Sequence, residues 1–317
     1  MDSSRSESAV PSEKVRGALF DRLGGLVKTT RPHQWVKNVF VLAPVFFAKD
    51  LFDIELIGRA VFAFAVFCLL AGAVYTINDI VDAPADRIHP VKRHRPIASG
   101  RVPLGLAKAF AVALFVVAMA GALLGPPLFA LVAFAYFLLN IAYSFRLKKI
   151  AYLDVACIAL GFVFRVIAGG IGTQVKVSAY LVACTALLAL FLGFGKRRHE
   201  LASAEHGVVG KQRSSLEAYS PRALTVALAV TGTASVATYI AYTLDPATME
   251  MFQSESLWMT TPFVLFGVVR FLQLVATRPK AESPTQEMLR DVPFVMNLVL
   301  WVAVVFWIVY QLRPSGV

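Results

Sequence analysis

Long charge-free apolar runs dominate this chain, in place of the polar–apolar alternation of a half-buried strand or the narrow stripe of a soluble helix. A bilayer-spanning helix needs about 20 mostly apolar residues. Runs of that kind cover residues 60–78, 177–195, 223–244 and 292–312. The run 109–145 is too long for one crossing and is broken by Gly125-Pro126-Pro127, which predicts a tight helical hairpin. Residues 150–175 are apolar apart from Asp154, Arg165 and a few small polar side chains, and 256–277 apart from Arg270. The weakest candidate is 35–51, which contains Pro44. Counting it, the pattern predicts an all-α polytopic membrane bundle of about nine transmembrane helices.

Composition agrees. Of 317 residues, 57% are apolar and only 16% charged, against about a quarter charged in soluble domains. That excludes a soluble enzyme, a disordered chain and a disulfide-stapled module. Cys68, Cys157 and Cys184 all lie in apolar runs, as small buried thiols do, and no Cys/His spacing suggests zinc. The net charge of +11 raises the question of nucleic acid, and its distribution answers it. With the N-terminus inside, segments 1–37, 79–103, 146–149, 196–222 and 278–290 hold 24 Lys and Arg, against three on the other side, Lys49, Lys176 and Arg313. That is the positive-inside signature of a multi-pass inner-membrane protein whose partner is the lipid bilayer, with no nucleic acid. The expected organisation is a cytoplasmic segment 1–34 with a disordered first part, one membrane domain over 35–312, and a short extracytoplasmic tail 313–317. Residues 1–34 lack a signal-peptide pattern. No convincing repeat is present, and a homo-oligomer is compatible with the sequence without being readable from it.

The basic side also carries the chemistry. The second expected span ends in Asn78-Asp79-Ile80-Val81-Asp82-Ala83-Pro84-Ala85-Asp86. Asp79, Asp82 and Asp86 share a helix face at i, i+3 and i+7. Acids at a helix C-terminus oppose its dipole, so a cluster there wants a cation. Mg²⁺ is commonly held by one or two carboxylates plus substrate phosphates, which points to Asn78, Asp79, Asp82 and Asp86 as ligands of Mg²⁺, or of Mn²⁺ in its place. Arg87, His89, Lys92, Arg93, His94 and Arg95 follow, then Pro96-Ile97-Ala98-Ser99-Gly100. Bases beside acids suit a metal-bound diphosphate. Three further segments share this side: Arg31 to Asn38 with Trp35 and Lys37, Tyr143 to Lys149 with Lys148, and Lys196-Arg197-Arg198-His199-Glu200, followed by Lys211, Arg213, Glu217 and Tyr219. Trp35 is equally readable as an interfacial anchor, and the five histidines lack zinc spacing. Asp154 and Arg165 lie eleven residues apart on nearly one helix face, about 16 Å along the axis, so they cannot pair and each needs its own partner.

These residues resemble the UbiA superfamily of intramembrane prenyltransferases, and within it the members that transfer a phosphoribosyl group to decaprenyl phosphate. The likeness runs from Arg31 to the last helix. It rests on Arg31-Pro32-x-Gln34-Trp35-x-Lys37-Asn38, Asn78-Asp79-x-x-Asp82-x-x-x-Asp86, Lys92-Arg93-x-Arg95-Pro96-Ile97-Ala98, Tyr143-Ser144-x-x-Leu147-Lys148, Arg165-x-x-Ala168-Gly169-Gly170 and Gly195-Lys196-Arg197-x-x-Glu200. The resemblance implies a UbiA-like bundle with a cytoplasmic-side active site, Mg²⁺, phosphoribosyl diphosphate as donor, polyprenyl phosphate as acceptor, and a product destined for cell-wall arabinan. Ordinary members carry a second aspartate-rich motif between helices six and seven. Here 196–222 holds six Lys and Arg instead, which suits a donor with an additional phosphate. On this reading Asn78, Asp79, Asp82 and Asp86 are the catalytic metal ligands. Lys92, Arg93 and Arg95 bind the diphosphate, and Lys196 and Arg197 the other phosphates. Lys37, Tyr143, Lys148, Asp154, Glu200 and Tyr219 orient substrates. The rival readings are prenylation of an aromatic acceptor, and a transporter or lipid carrier, although transporters place coupling charges near the midplane.

Overall fold

The structure, a computed structural model, describes residues 11–48, 53–205, 216–277 and 284–311. Its elements are all helical: α1 (Pro11–Thr29), a 3₁₀ segment (Pro32–Val41), α2 (Ala43–Phe46), α3 (Ile54–Arg87), α4 (Leu104–Leu123), α5 (Pro127–Phe145), α6 (Leu153–Thr173), α7 (Ala179–Glu205), α8 (Pro221–Leu244), α9 (Pro246–Phe252), α10 (Thr261–Thr277), α11 (Pro284–Arg290) and α12 (Val292–Gln311). Among the described residues eight helices are long and apolar enough to cross a membrane. Their outward faces are apolar: Val112, Val116 and Val117 on α4, and Val299, Leu300 and Trp307 on α12, are exposed. Such a surface belongs in lipid.

The expected hairpin is present, with α4 ending at Leu123 and α5 starting at Pro127, where a proline loses no helical hydrogen bond. One expectation changes. The ninth span, expected over 35–51, is not an α-helix in its described part: the 3₁₀ segment gives way to the single turn α2. Pro44 has no N–H for an α-helical bond to Phe40, and the backbone of Val41 is drawn against α6. There a Cβ on Gly169 would fall 2.0 Å from the Val41 carbonyl oxygen. The acidic motif forms the last turns of α3, as its helical spacing predicts, and the helix continues through Pro84 to Arg87. Lys196–Glu200 lies in the last turns of α7, which runs on to Glu205. Within the N-terminal segment 1–34, residues 11–29 form α1. Residues 1–10 and 313–317, and Lys211 and Arg213, lie outside the described residues.

Two compact units divide the chain, one comprising residues 1–39 and 64–137, the other 40–63 and 138–317. The first is held by Leu26, Ala83, Ile97, Val102 and Ala107. This cluster fixes the basic turn after α3 against α1, and Gly25 permits it, since a Cβ there would meet Val102 at 2.6 Å. Phe67 packs on Phe129 and Tyr136 deeper in the same unit. In the second unit α6, α7, α8 and α10 close on one another through glycines. A Cβ on Gly193 would meet Val155 at 2.6 Å, and one on Gly195 would meet Phe271 at 2.4 Å. Small residues at helix contacts are the usual route to tight packing in a membrane. Phe252, Leu257, Val305, Ile308 and Val309 form a further cluster, backed by Phe46 and Phe47.

Candidate functional site

The last turns of α3 assemble the first candidate cluster. Asp79 and Asp86 are both buried, at 3% and 4% exposure, while Asp82 between them is half-buried. Two guanidiniums meet them. Arg31 donates through Nη2 to Asp79 Oδ1. Arg95 Nη1 lies 2.7 Å from Asp86 Oδ2 and 3.4 Å from Asp79 Oδ1, so one nitrogen bridges both acids. The structure brings Asp79, Asp86 and Arg95 together, with Arg95 paired directly to the acids, and adds Arg31, which spacing alone did not single out. Lys92 and Arg93 occupy an exposed 3₁₀ turn just before Arg95. Lys37 is exposed, and its neighbour Asn38 is buried with its amide donating to Cys68 Sγ at 3.3 Å.

Among the described residues no three His, Cys, Asp or Glu side chains converge as a metal cage. The oxygen donors nevertheless fit a hard cation. Asp79 and Asp86 already share one positively charged nitrogen, and the Oδ1 of Asn78, the residue before Asp79, is buried without a hydrogen-bond partner. Such a set supplies a partial shell, which suits an ion that takes its remaining ligands from substrate phosphates and water.

The second cluster lies at the N-terminus of α6 and the C-terminal half of α7. Asp154, fully buried, accepts from the Tyr219 hydroxyl and from its neighbour Val155 N at 2.9 Å. Its other oxygen lies 2.7 Å from Arg197 Nε. Arg197, 1% exposed, also donates through Nη1 to Glu200, one helical turn on. The Tyr219 hydroxyl in turn accepts from Tyr152 N at 2.7 Å, and Tyr152 is held at φ +66. Burial and the hydrogen bond to Asp154 push the Tyr219 hydroxyl above the usual tyrosine range, so it stays a donor. Arg197, expected to grip a substrate phosphate, is thus already held by two carboxylates. Its neighbour Lys196 is half-buried, as are Tyr143 and Lys148. Arg165 has its own setting, as its distance from Asp154 required: Nη1 donates to Gly161 O at 2.9 Å and the guanidinium stacks over Phe162.

Comparison with known proteins adds the following. The profile of the UbiA prenyltransferase family matches residues 39–298. A decaprenyl-phosphate phosphoribosyltransferase of Mycobacterium tuberculosis is 41% identical over 221 residues, covering 68% of this chain and 73% of that one. The protein of the same description from Mycolicibacterium smegmatis is 35% identical over 273 residues, covering 83% and 84%. A structure of a UbiA homolog from Archaeoglobus fulgidus bound to DMAPP and Mg²⁺ superposes with a TM-score of 0.64 at 17% identity, covering 91% of this chain and 99% of that one. At that identity the last comparison speaks to the fold.

Proposed function

Because the chain belongs to the UbiA prenyltransferase family, and is a multi-pass membrane protein, we propose that it transfers a 5-phosphoribosyl group from phosphoribosyl diphosphate to a polyprenyl phosphate such as decaprenyl phosphate. The observation that carries the choice of donor is the second cluster. Where a pair of acids would be needed to hold further metal, α7 presents Lys196 and an Arg197 clamped between Asp154 and Glu200. With Arg197 committed to those two carboxylates, Lys196 is the cation that suits a donor with an extra phosphate, and the 35–41% identity to decaprenyl-phosphate phosphoribosyltransferases supports that reading.

In the reaction an oxygen of the lipid phosphate attacks the anomeric carbon of the ribose. A new C–O bond forms there, and the bond to the diphosphate breaks with its electron pair leaving on the diphosphate. A phosphate monoester is largely ionised near neutral pH, its second pKa being about 6, so no protein base has to deprotonate it. The residues therefore work by positioning and by charge. Asn78, Asp79, Asp82 and Asp86 would hold Mg²⁺, whose charge on the diphosphate oxygens makes them a better leaving group. Lys92, Arg93 and Arg95 hold diphosphate oxygens, and Lys196 takes a remaining phosphate. Arg197 fixes Glu200, which with Asp154, Tyr219, Tyr143, Lys148 and Lys37 orients the substrates. The acidic turn of α3 faces the cytosol, the side to which the basic residues are assigned, and the prenyl chain lies among apolar helix surfaces.

The test is product identity with purified protein, Mg²⁺ and both substrates. Lipid-linked phosphoribose and free diphosphate are expected. Prenylation of an aromatic acid from a prenyl diphosphate, with no ribosyl transfer, overturns the proposal.

A further inference from the structure

Arg31 stands out once the acidic turn is described. It adopts φ +50, a left-handed conformation that non-glycine residues seldom keep without a reason, and it does so directly before Pro32. Hydrogen bonds hold its turn: Thr30 Oγ1 donates to Val27 O at 2.8 Å, Trp35 Nε1 to Thr30 O at 3.2 Å, and Gln34 N to Arg31 O at 2.8 Å. Its guanidinium lies over the Tyr75 ring, 5.3 Å from the centroid, and bonds Asp79. Tyr75 and Asp79 are one turn apart on α3, so the helix supplies both a platform and an anchor. Arg95 completes the arrangement by bridging Asp79 and Asp86. Two buried acids are thereby matched by two guanidiniums.

The same carboxylate oxygens cannot serve a guanidinium and a divalent cation together. A divalent ion arriving alone competes with Arg31 and Arg95 for Asp79 Oδ1 and Asp86 Oδ2, and taking those oxygens leaves two guanidiniums without an anion. A divalent ion arriving with a diphosphate brings the anion that those guanidiniums can take up, with the bidentate geometry arginine favours. We propose that Arg31 and Arg95 are exchangeable counter-ions of Asp79 and Asp86. They weaken the hold on a free divalent cation and strengthen the hold on a metal–diphosphate pair, so that cation and diphosphate are bound together. This rests on the reading of the α3 end as a metal–diphosphate site and names two residues that make that site selective.

The test uses full-length protein in detergent, with variants Arg31→Gln and Arg95→Gln made separately. Arg101→Gln serves as control, because it removes the same charge from a side chain paired with Asp21 instead. Free Mn²⁺ is followed by electron paramagnetic resonance without any phosphate. Retention of radiolabelled inorganic diphosphate is followed separately by equilibrium dialysis, with and without Mn²⁺. Each site variant should bind Mn²⁺ alone about tenfold more tightly than the Arg101→Gln control, since a competing unit charge a few ångströms away is gone. Each should retain diphosphate with Mn²⁺ about tenfold less well. Mn²⁺ affinity no tighter than the control in either variant, with diphosphate retained normally by the unaltered protein, refutes the exchange and spares the functional reading. Failure of the unaltered protein to retain diphosphate with Mn²⁺ refutes the functional reading itself. Size-exclusion profiles decide whether a variant is folded, and each arginine serves as the second variant for the other.

Discussion

The ion pair between Asp154 and Arg197 offers a sharp test of how the second cluster is built. Asp154 is fully buried and the Arg197 side chain is 2% exposed, so neither has water to fall back on. Removing one partner of such a pair leaves an uncompensated buried charge, at a typical cost of about 3–5 kcal/mol. Asp154→Asn should fall near the lower figure, because Glu200 still bonds Arg197. Arg197→Gln should fall higher, since it strands Asp154 and deprives Glu200 of its partner. The double variant strands less charge than the two single changes together, so its cost should fall short of their sum by about 1–3 kcal/mol. The measurement is reversible unfolding in mixed micelles, titrated with SDS and followed by far-ultraviolet circular dichroism for the four proteins of the cycle. Costs that add within about 0.5 kcal/mol would show that the two groups do not depend on each other and that the 2.7 Å contact carries no stability.

Other expectations follow from single contacts. Asp79→Ala should abolish Mg²⁺-dependent transfer, read as diphosphate release, while full retention of activity would remove Asp79 from the site. Gly169→Ala places a methyl 2.0 Å from the Val41 carbonyl, and should lower stability by about 1–3 kcal/mol in the same unfolding assay. Gly58→Ala meets nothing within 4 Å in a helix interior, and should be neutral or stabilising by up to about 1 kcal/mol. Tyr219 has a raised pKa when folded, so the fold favours its protonated form. Its contribution to stability is whole below the unfolded tyrosine value, about 10, and declines as pH rises beyond it. Tyr219→Phe should flatten that alkaline decline in unfolding measured from pH 8 to 11.

What the sequence made legible was whatever depends on local pattern. Spans, hairpin and basic loops follow from runs of twenty residues, and Asp79 and Asp86 fall on one helix face because helical spacing requires it. The necessity of separate partners for Asp154 and Arg165 was equally plain from their distance along one helix. The rest depends on tertiary contact. The 3₁₀ course of 32–41 answers to a glycine more than a hundred residues away. The clamp of Arg197 on Asp154 joins α7 to α6 across more than forty residues of chain and has no signature in spacing. Arg31 was visible only as part of a motif. Its left-handed backbone and its bond to Asp79 have no signature in spacing.

The length of α3 has a consequence of its own. Its 34 residues at 1.5 Å each make a rod of about 51 Å, far longer than the roughly 30 Å hydrocarbon slab. The apolar shaft alone is long enough to cross that slab, which leaves the turns that bear the carboxylates as surplus length at one end. On the proposed reading, crossing the bilayer and binding at the tip fall to separate stretches of one helix, so substitutions among Asp79, Asp82 and Asp86 leave the apolar shaft unchanged.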